Sequence, residues 1–551
     1  MFPLQFIILL VVASAPLQMD LLIGGSPALQ LPLPAWILFV SFFATHLLLV
    51  SFVWSRTRGA IRALHATPTG AAEISHNIDQ LFFYARWAVI GLTATHLFCT
   101  PLAKIVLAHT ESAHIIQYIP GLPETLFITP AVLAWLGIWT ASYHVEIAMH
   151  ERSLPYRLAR QEPVHDMPML GEFLGMQARH NFFPYVMVLM VGVFDKVGKY
   201  LTHWYPGAPE VASVAATATV FLVLPFVLVR VWRTAPLDGP LRKRLDHVAD
   251  VHRLRFRNIL LWRTHNLVPN AAILGWLPFG RYFLMSDSLV ESFSDKQLEA
   301  VFAHEVGHGV HRHMPWFLAI ITAACAFSFG VGGLATHVSL PGMSGEMLAM
   351  TLSSLVLLII GGGAFYFIAP RFEHQADWFA ARHMSKSSPA PDSGEDVSLR
   401  QYVAGTYPHA ADPHASLPPA EATDALMDEL EKPRTPAQEG TEIFISALDT
   451  LVETLHRDRT RRDLMHPSPD DRVALLRTLT TDPAAEEKFN RSMQRTRLVI
   501  VLLLVAGIAV AAVAAVVGEK PVKPPAASQP ATQVGPATTP AATSPAAASR
   551  N

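Results

Sequence analysis

Charge is scarce in this sequence. Only 16% of its 551 residues are Asp, Glu, Lys or Arg, while 51% are hydrophobic and the mean hydropathy is +0.31. That balance is too apolar for an ordinary soluble enzyme and places the chain in a lipid bilayer. Basic excess is missing too: 42 Lys and Arg face 44 Asp and Glu. Nothing is left over to neutralise phosphates, which argues against a nucleic-acid partner. Cys99 and Cys325 are the only two cysteines, both in apolar runs. They offer no disulfide framework and no Cys pair with zinc-ligand spacing, so the redox compartment stays undecided. Also absent are a Gly-rich phosphate loop, a Ser or Cys nucleophile motif and a convincing internal repeat.

What the sequence does have is His304-Glu305-Val306-Gly307-His308. Two imidazoles four residues apart on a helix lie nearly on one face and could hold one metal ion. Ser294-Asp295-Lys296-Gln297 reads as a capping box that opens this helix, and Leu298, Ala300, Val301 and Phe302 give it an apolar side. A catalytic zinc usually takes three protein ligands and leaves a fourth position to water. Glu305 is then placed beside that water as general base. By itself the five-residue pattern also arises by chance, so it needs a third ligand. Arg371-Phe372-Glu373-His374-Gln375-Ala376-Asp377 supplies one. Glu373 and Asp377 share a helical face; Glu373 completes a His, His, Glu set, and Asp377 orients a ligating His through its other ring N–H. The bland alternative is a solvated acidic face. His311 and His313 are not needed, because a hydrolytic zinc keeps an open position.

These motifs, with Asn270-Ala271-Ala272 followed by Gly275 and with His466-Pro467-Ser468-Pro469-Asp470-Asp471-Arg472, resemble the integral-membrane zinc peptidases that include CAAX prenyl protease 1 and the HtpX heat-shock protease. The matches run over roughly 250–480, and the many spans before them favour the prenyl protease branch. The resemblance implies membrane helices around a hydrated chamber, and one Zn²⁺ per chain held by His304, His308 and Glu373, with Glu305 as the base. It implies that His466 donates to the oxyanion, that Arg472 braces Glu373 or Asp377, and that the Asn270, Ala271 and Ala272 segment binds extended substrate at a sheet edge. Read without the family, Asn270 is a turn residue, His466 a residue before a proline and Arg472 a surface charge.

Apolar stretches at about 35–54, 85–108, 126–147, 181–200, 211–232, 316–337, 347–369 and 498–517 are long enough to cross hydrocarbon. Residues 2–24 make a ninth if they are a retained anchor; the other reading is a signal peptide cut after Ala13-Ser14-Ala15. Arg56, Arg58 and Arg62, then Arg152, Arg157 and Arg160, then Arg230, Arg233, Arg242, Lys243 and Arg244 lie in alternate loops. The loops between, 109–125 and 201–210, contain no Lys or Arg. By the positive-inside rule this puts 233–314 in the cytoplasm. The hairpin 315–370 returns Glu373 to the same side as His304. His46, His96, Asp195 and Lys196 lie within spans and either line a chamber or are paired locally.

The expected architecture is a polytopic α-helical membrane protein of about nine spans with a small α+β zincin-like catalytic domain. Residues 1–232 form a six-span region and 233–314 the first catalytic part, with short strands at 259–262 and 271–274. After the hairpin come a third-ligand helix at 371–384, a flexible insertion at 385–440, the rest of the catalytic domain at 441–496, a final span at 497–518 and a disordered tail at 519–551. The expected partners are the lipid bilayer and a protein or peptide substrate, either prenylated or misfolded, in the inner membrane of a bacterium. Two other function classes are a non-catalytic zinc-binding sensor or scaffold, which leaves Glu305 unexplained, and a transporter, which leaves the metal constellation unexplained.

Overall fold

The structure, a computed structural model, describes residues 5–13, 34–66, 71–112, 122–159, 164, 166–205, 208–338, 345–386, 435–455, 458–460, 462 and 466–518. Residues 5–13 form helix α1. The N-terminal bundle continues with α2 (Ala35–Ala66), α3 (Ala71–Cys99), α4 (Leu102–Ser112), α5 (Leu122–Ala159), α6 (Leu170–Leu201) and α7 (Ala208–Val231). Phe6, Leu38, Phe42, Phe127, Trp135 and Ile138 form one buried cluster that draws α1 through α5 together. In lipid a helix must satisfy its own polar groups. His46 accordingly binds the Phe42 carbonyl through Nδ1 at 2.7 Å and Thr93 Oγ1 through Nε2 at 3.1 Å. His96 binds the Leu92 carbonyl at 2.9 Å. For these two histidines local pairing is what the structure shows.

Seven described helices are long and apolar enough to cross a membrane: Ala35–Ala66, Glu73–Cys99, Glu124–Pro155, Leu170–Leu201, His313–Ala335, Leu348–Met384 and Pro483–Gly518. Of the other two expected spans, 211–232 falls in α7, whose apolar described part is Leu222–Val231. Residues 2–24 are described only at 5–13. The span expected at 85–108 is displaced toward the N-terminus, because the chain breaks at Thr100-Pro101. Pro101 has no N–H to continue the ladder, and Thr100 Oγ1 accepts from the Leu102 N–H at 3.3 Å to start α4.

Residues 234–310 build a four-stranded sheet and the helices packed on it. Strands β1 (Thr234–Pro236), β2 (Asn258–Trp262), β3 (Ala271–Leu274) and β4 (Tyr282–Ser286) lie in the order β1-β2-β4-β3, with only the central β2–β4 pair parallel. Helix α8 (Pro240–Val251) precedes β2, and α9 (Asp287–Ser292) and α10 (Asp295–Val310) follow β4. β3 is therefore an edge strand, paired with β4 from Ala271↔Met285 to Leu274↔Tyr282. Trp262 stacks on Trp232 at 5.0 Å and donates to His180 Nε2 at 3.0 Å, which fastens the sheet to α6 and to the end of α7.

Beyond α10 run α11 (His313–Ala335), α12 (Gly345–Val356), a π-helical turn at Leu357–Gly362 and α13 (Gly363–Met384). The chain then contributes α14 (Pro436–Thr454), α15 (Pro469–Thr481) and α16 (Pro483–Gly518). The third-ligand helix expected at 371–384 is not separate: Leu348–Met384 is one helical run. Pro370 lies inside it without ending it. The proline has no N–H for the Tyr366 carbonyl. Arg462 Nη2 donates to that oxygen at 3.0 Å instead, with its guanidinium 4.5 Å from the Tyr366 ring centre. Helix α14 starts inside the stretch expected to be a flexible insertion, because Thr435 caps it, Gln438 completes a capping box and Pro436 is its first residue. The rest of that insertion, 387–434, and the tail 519–551 lie outside the described residues.

A second core unites α8, α10, α13, α14 and α15 with the sheet through Ile259, Phe283, Leu298, Phe302, Trp378 and Phe444. Ile320, Ile368, Phe372, Met493 and Ile500 join α11, α13 and α16. Helices α11 and α16 pack closely through small residues, as helices do in lipid. A Cβ at Gly330 would lie 2.7 Å from the Ala511 nitrogen. Gly330→Val should therefore push these helices apart and destabilise the protein by about 1–3 kcal/mol, read as a lower thermal transition in detergent. Gly363→Ala, whose Cβ would meet nothing within 4 Å, should not lower it.

Candidate metal centre and active site

Helix α10 starts at the capping box read in the sequence. The Ser294 N–H donates to Gln297 Oε1 at 3.0 Å, and the Gln297 N–H to Ser294 Oγ at 3.4 Å. Leu298, Ala300, Phe302 and Ala303 are buried and dock the helix in the second core. Gly307 sets how close α10 comes to α13: a Cβ there would lie 3.2 Å from the Ala376 Cα and 3.1 Å from the Phe379 ring. That approach carries both histidines to the face of α13 that bears Glu373 and Asp377.

His304 Nε2, His308 Nε2 and the Glu373 carboxylate converge. The two nitrogens are 3.1 Å apart. His304 Nε2 is 3.6 Å from Glu373 Oε2, and His308 Nε2 is 3.5 Å from Glu373 Oε1. Ligands held about 2.0–2.2 Å from a tetrahedral zinc are roughly 3.4 Å from one another, so the donor set fits zinc in both chemistry and spacing. These three residues are the one such group among the described residues.

Asp377, fully buried, lies behind His304. Its Oδ1 is 2.9 Å from His304 Nδ1, although the ring N–H is not aligned on it. Arg472 grips the same carboxylate with both arms, Nε to Oδ2 at 2.8 Å and Nη2 to Oδ1 at 2.5 Å. Of the two partners considered for Arg472, the structure provides Asp377. His304 also stacks on Phe444 of α14 with ring centres 5.9 Å apart. Burial opposes charge on His304, but hydrogen bonding and attraction from Asp377 and Glu373 prevail and hold its pKa at about 10. Burial dominates at His308 and pushes it down to about 4.

Glu305 is turned toward the sheet and accepts a hydrogen bond from the Ile273 N–H of β3. Burial pushes its carboxyl up to about 7, with the charge on His304 pulling the other way. Asn270, Ala271 and Ala272 lie at the start of the same edge strand. Asn270 is exposed and exchanges backbone bonds with Ser286, its N–H donating to Ser286 Oγ and its carbonyl accepting from the Ser286 N–H, each at 2.9 Å. Its backbone is not left-handed; the left-handed residues of the preceding turn are His265 and Asn266. His466 is exposed, with Nε2 3.8 Å from Glu373 Oε2.

Sequence reasoning set His313 aside, yet its Nδ1 is 2.8 Å from His308 Nδ1. Five residues apart on one helix, the two rings would point away from each other. Helix α10 ends at Val310, however, and Arg312 adopts a left-handed conformation (φ 57°), turning the chain so that His313 opens α11 beside His308. Gln375 and Arg497 carried no signal in their spacing, and the helical spacing of Phe444 with Ala447, Leu448 and Leu451 marked it for a core without placing it against His304. His311 packs on Phe379 and His313 and stays out of the convergent set.

Residues 238–480 match the sequence profile of peptidase family M48. This stretch is an M48 peptidase domain. The chain is thus a membrane protein with a metallopeptidase domain, and the M48 domain encloses every residue placed at the site so far except Arg497. Among solved structures, one similar chain is that titled "Crystal Structure of S. mikatae Ste24p", at 14% identity, covering 82% of this chain and 99% of that one, with a TM-score of 0.39. No curated protein sequence matches the chain.

The Asp377–Arg472 ion pair is strongly enclosed. Arg472→Met would leave the Asp377 carboxylate buried with only His304 to face, and should cost about 3–5 kcal/mol. Denaturant unfolding of the full-length variant checks this.

Proposed function

We propose that the protein is a membrane-embedded zinc endopeptidase whose M48 domain faces the cytoplasm, an orientation that the alternating Arg and Lys loops support. The convergence of His304 Nε2, His308 Nε2 and the Glu373 carboxylate, with Glu305 directly beside them, carries this reading. Zinc at such a donor set supplies Lewis acidity and a water that ionises near neutral pH. Glu305 removes a proton from the attacking water as its oxygen bonds to the scissile carbon, then delivers that proton to the amine as the C–N bond breaks. Asp377, clamped by Arg472, keeps the His304 ring in place. His466, whose Nε2 is 3.8 Å from Glu373 Oε2, donates to the oxygen that gains charge at the scissile carbonyl.

An extended substrate fits the free edge of β3, with backbone hydrogen bonds giving affinity regardless of sequence and Asn270 at the entry. The Ile273 N–H of that strand favours the Glu305 carboxylate, which supports a substrate path along β3 past the base. A non-catalytic zinc-binding sensor or scaffold leaves Glu305 without a purpose. The motif resemblance favours the CAAX prenyl protease branch and hence prenylated substrates in a host that makes them. In a bacterial inner membrane, misfolded membrane proteins are the matching class.

Purified protein should cleave an unfolded casein-like protein or a farnesylated CAAX peptide, and Glu305→Gln should lower kcat by about 10²–10⁴ while binding zinc as wild type does. The substrate preferred decides between the two classes. Zinc retained in both proteins with cleavage by neither would favour the sensor or scaffold. The pH profile is a second check. Glu305 must be ionised to act, so kcat/KM should rise with pH through its pKa. A nearby dication favours the carboxylate, so the acid limb should fall below the value of about 7 to which burial, partly offset by the charge on His304, raises this group.

A further inference from the structure

A metal-bound imidazole needs a partner for its second ring nitrogen, and that partner decides the tautomer. His304 has a carboxylate. His308 has another histidine: Nδ1 to Nδ1, 2.8 Å. His313 is only 1% exposed, and its ring lies flat on Phe372 at 4.4 Å, which fixes its plane. Its Nε2 is 3.1 Å from Gln375 Oε1. The same oxygen receives Arg497 Nη2 of α16 at 3.3 Å.

The protons in this row follow from its last member. A guanidinium only donates, so Arg497 holds the oxygen of the Gln375 amide, and not its NH₂, toward His313. The His313 Nε2 must then donate. A neutral ring that donates from Nε2 accepts at Nδ1, so the His308 Nδ1 must be the donor there. His308 is left with its Nε2 lone pair free on the side of His304 and Glu373. We propose that Arg497, Gln375 and His313 are positioning residues that set the tautomer of His308, so that the final membrane helix, beyond the M48-matched stretch, completes the metal centre. This rests on the reading of His308 as a metal ligand. The turn at Arg312 brings His313 to His308, and the close packing of α11 on α16 brings Arg497 within reach.

The test is zinc affinity of the purified full-length protein, measured by competition with a chromophoric chelator, beside the visible spectrum of the cobalt-substituted protein. His313→Phe removes the acceptor and should weaken zinc binding about 10–100-fold. His313→Gln offers a carbonyl oxygen in its place and should recover most of the loss. Arg497→Met should weaken binding and alter the cobalt spectrum, and Arg497→Lys, which keeps a donor, should restore both. Arg497 is half-buried, so this second pair decides the matter if the buried His313→Phe variant does not fold. Wild-type affinity and spectrum in both His313→Phe and Arg497→Met, or in Arg497→Met alone where the other is lost, would overturn the proposal. His308→Ala separates the levels. If it abolishes zinc binding while the other variants do not change it, only the relay fails. If it binds zinc as wild type does, the ligand reading fails as well.

Discussion

The catalytic region depends on how closely two helices cross. Helix α10 carries His304 and His308, and α13 carries Glu373 and Asp377; the absence of a side chain at Gly307 lets the Ala376 backbone and the Phe379 ring approach. If the helices stood farther apart, the imidazoles and the carboxylate would no longer share a point, and Asp377 could not serve both His304 and Arg472. Close packing in this protein is thus a condition of the chemistry as well as of stability. The buried Asp377–Arg472 pair then ties α15 to the crossing, and Phe444 ties α14 to it.

Helix α13 is continuous with a membrane-length helix, and α11 starts directly after the catalytic helix. The metallopeptidase domain is therefore not suspended from the membrane region by linkers. Helix α13 runs on from an apolar helix without a break, α10 is joined to α11 by a two-residue turn, and the sheet is held to α6 and the end of α7 by the Trp262, Trp232 and His180 contacts. The same α13 that bears Glu373 and Asp377 packs with α11 and α16 through Ile320, Ile368, Phe372, Met493 and Ile500, so the site and the apolar helices share one packing arrangement.

Much of this was legible in the sequence because it follows local rules. The Ser294 capping box, the i, i+4 pairs at 304/308 and 373/377, the strands at 259–262 and 271–274 and most spans depend on spacing of a few residues. Less legible was anything set by distant partners. β4, buried along its whole length, has no alternation to distinguish it from a short helix. The break at Thr100-Pro101 lies within a run that is apolar on both sides. His313 was set aside because the ligand set was already complete, and its place beside His308 depends on one left-handed residue, Arg312, that no local spacing announces. Gln375 and Arg497 meet across more than a hundred residues, and only the packing of α11, α13 and α16 makes them neighbours.

Pro370 offers a last lesson. Its ring deprives one carbonyl of the partner that any other residue would have supplied, and Arg462 fills the gap from a separate part of the chain. The defect works as a mooring: an acceptor left open on a helical rod is a place where another part of the chain can tie up. Arg462 stands four positions before His466 in the sequence, so the tie to Tyr366 holds to the membrane helix a point of the chain close to the one that reaches Glu373.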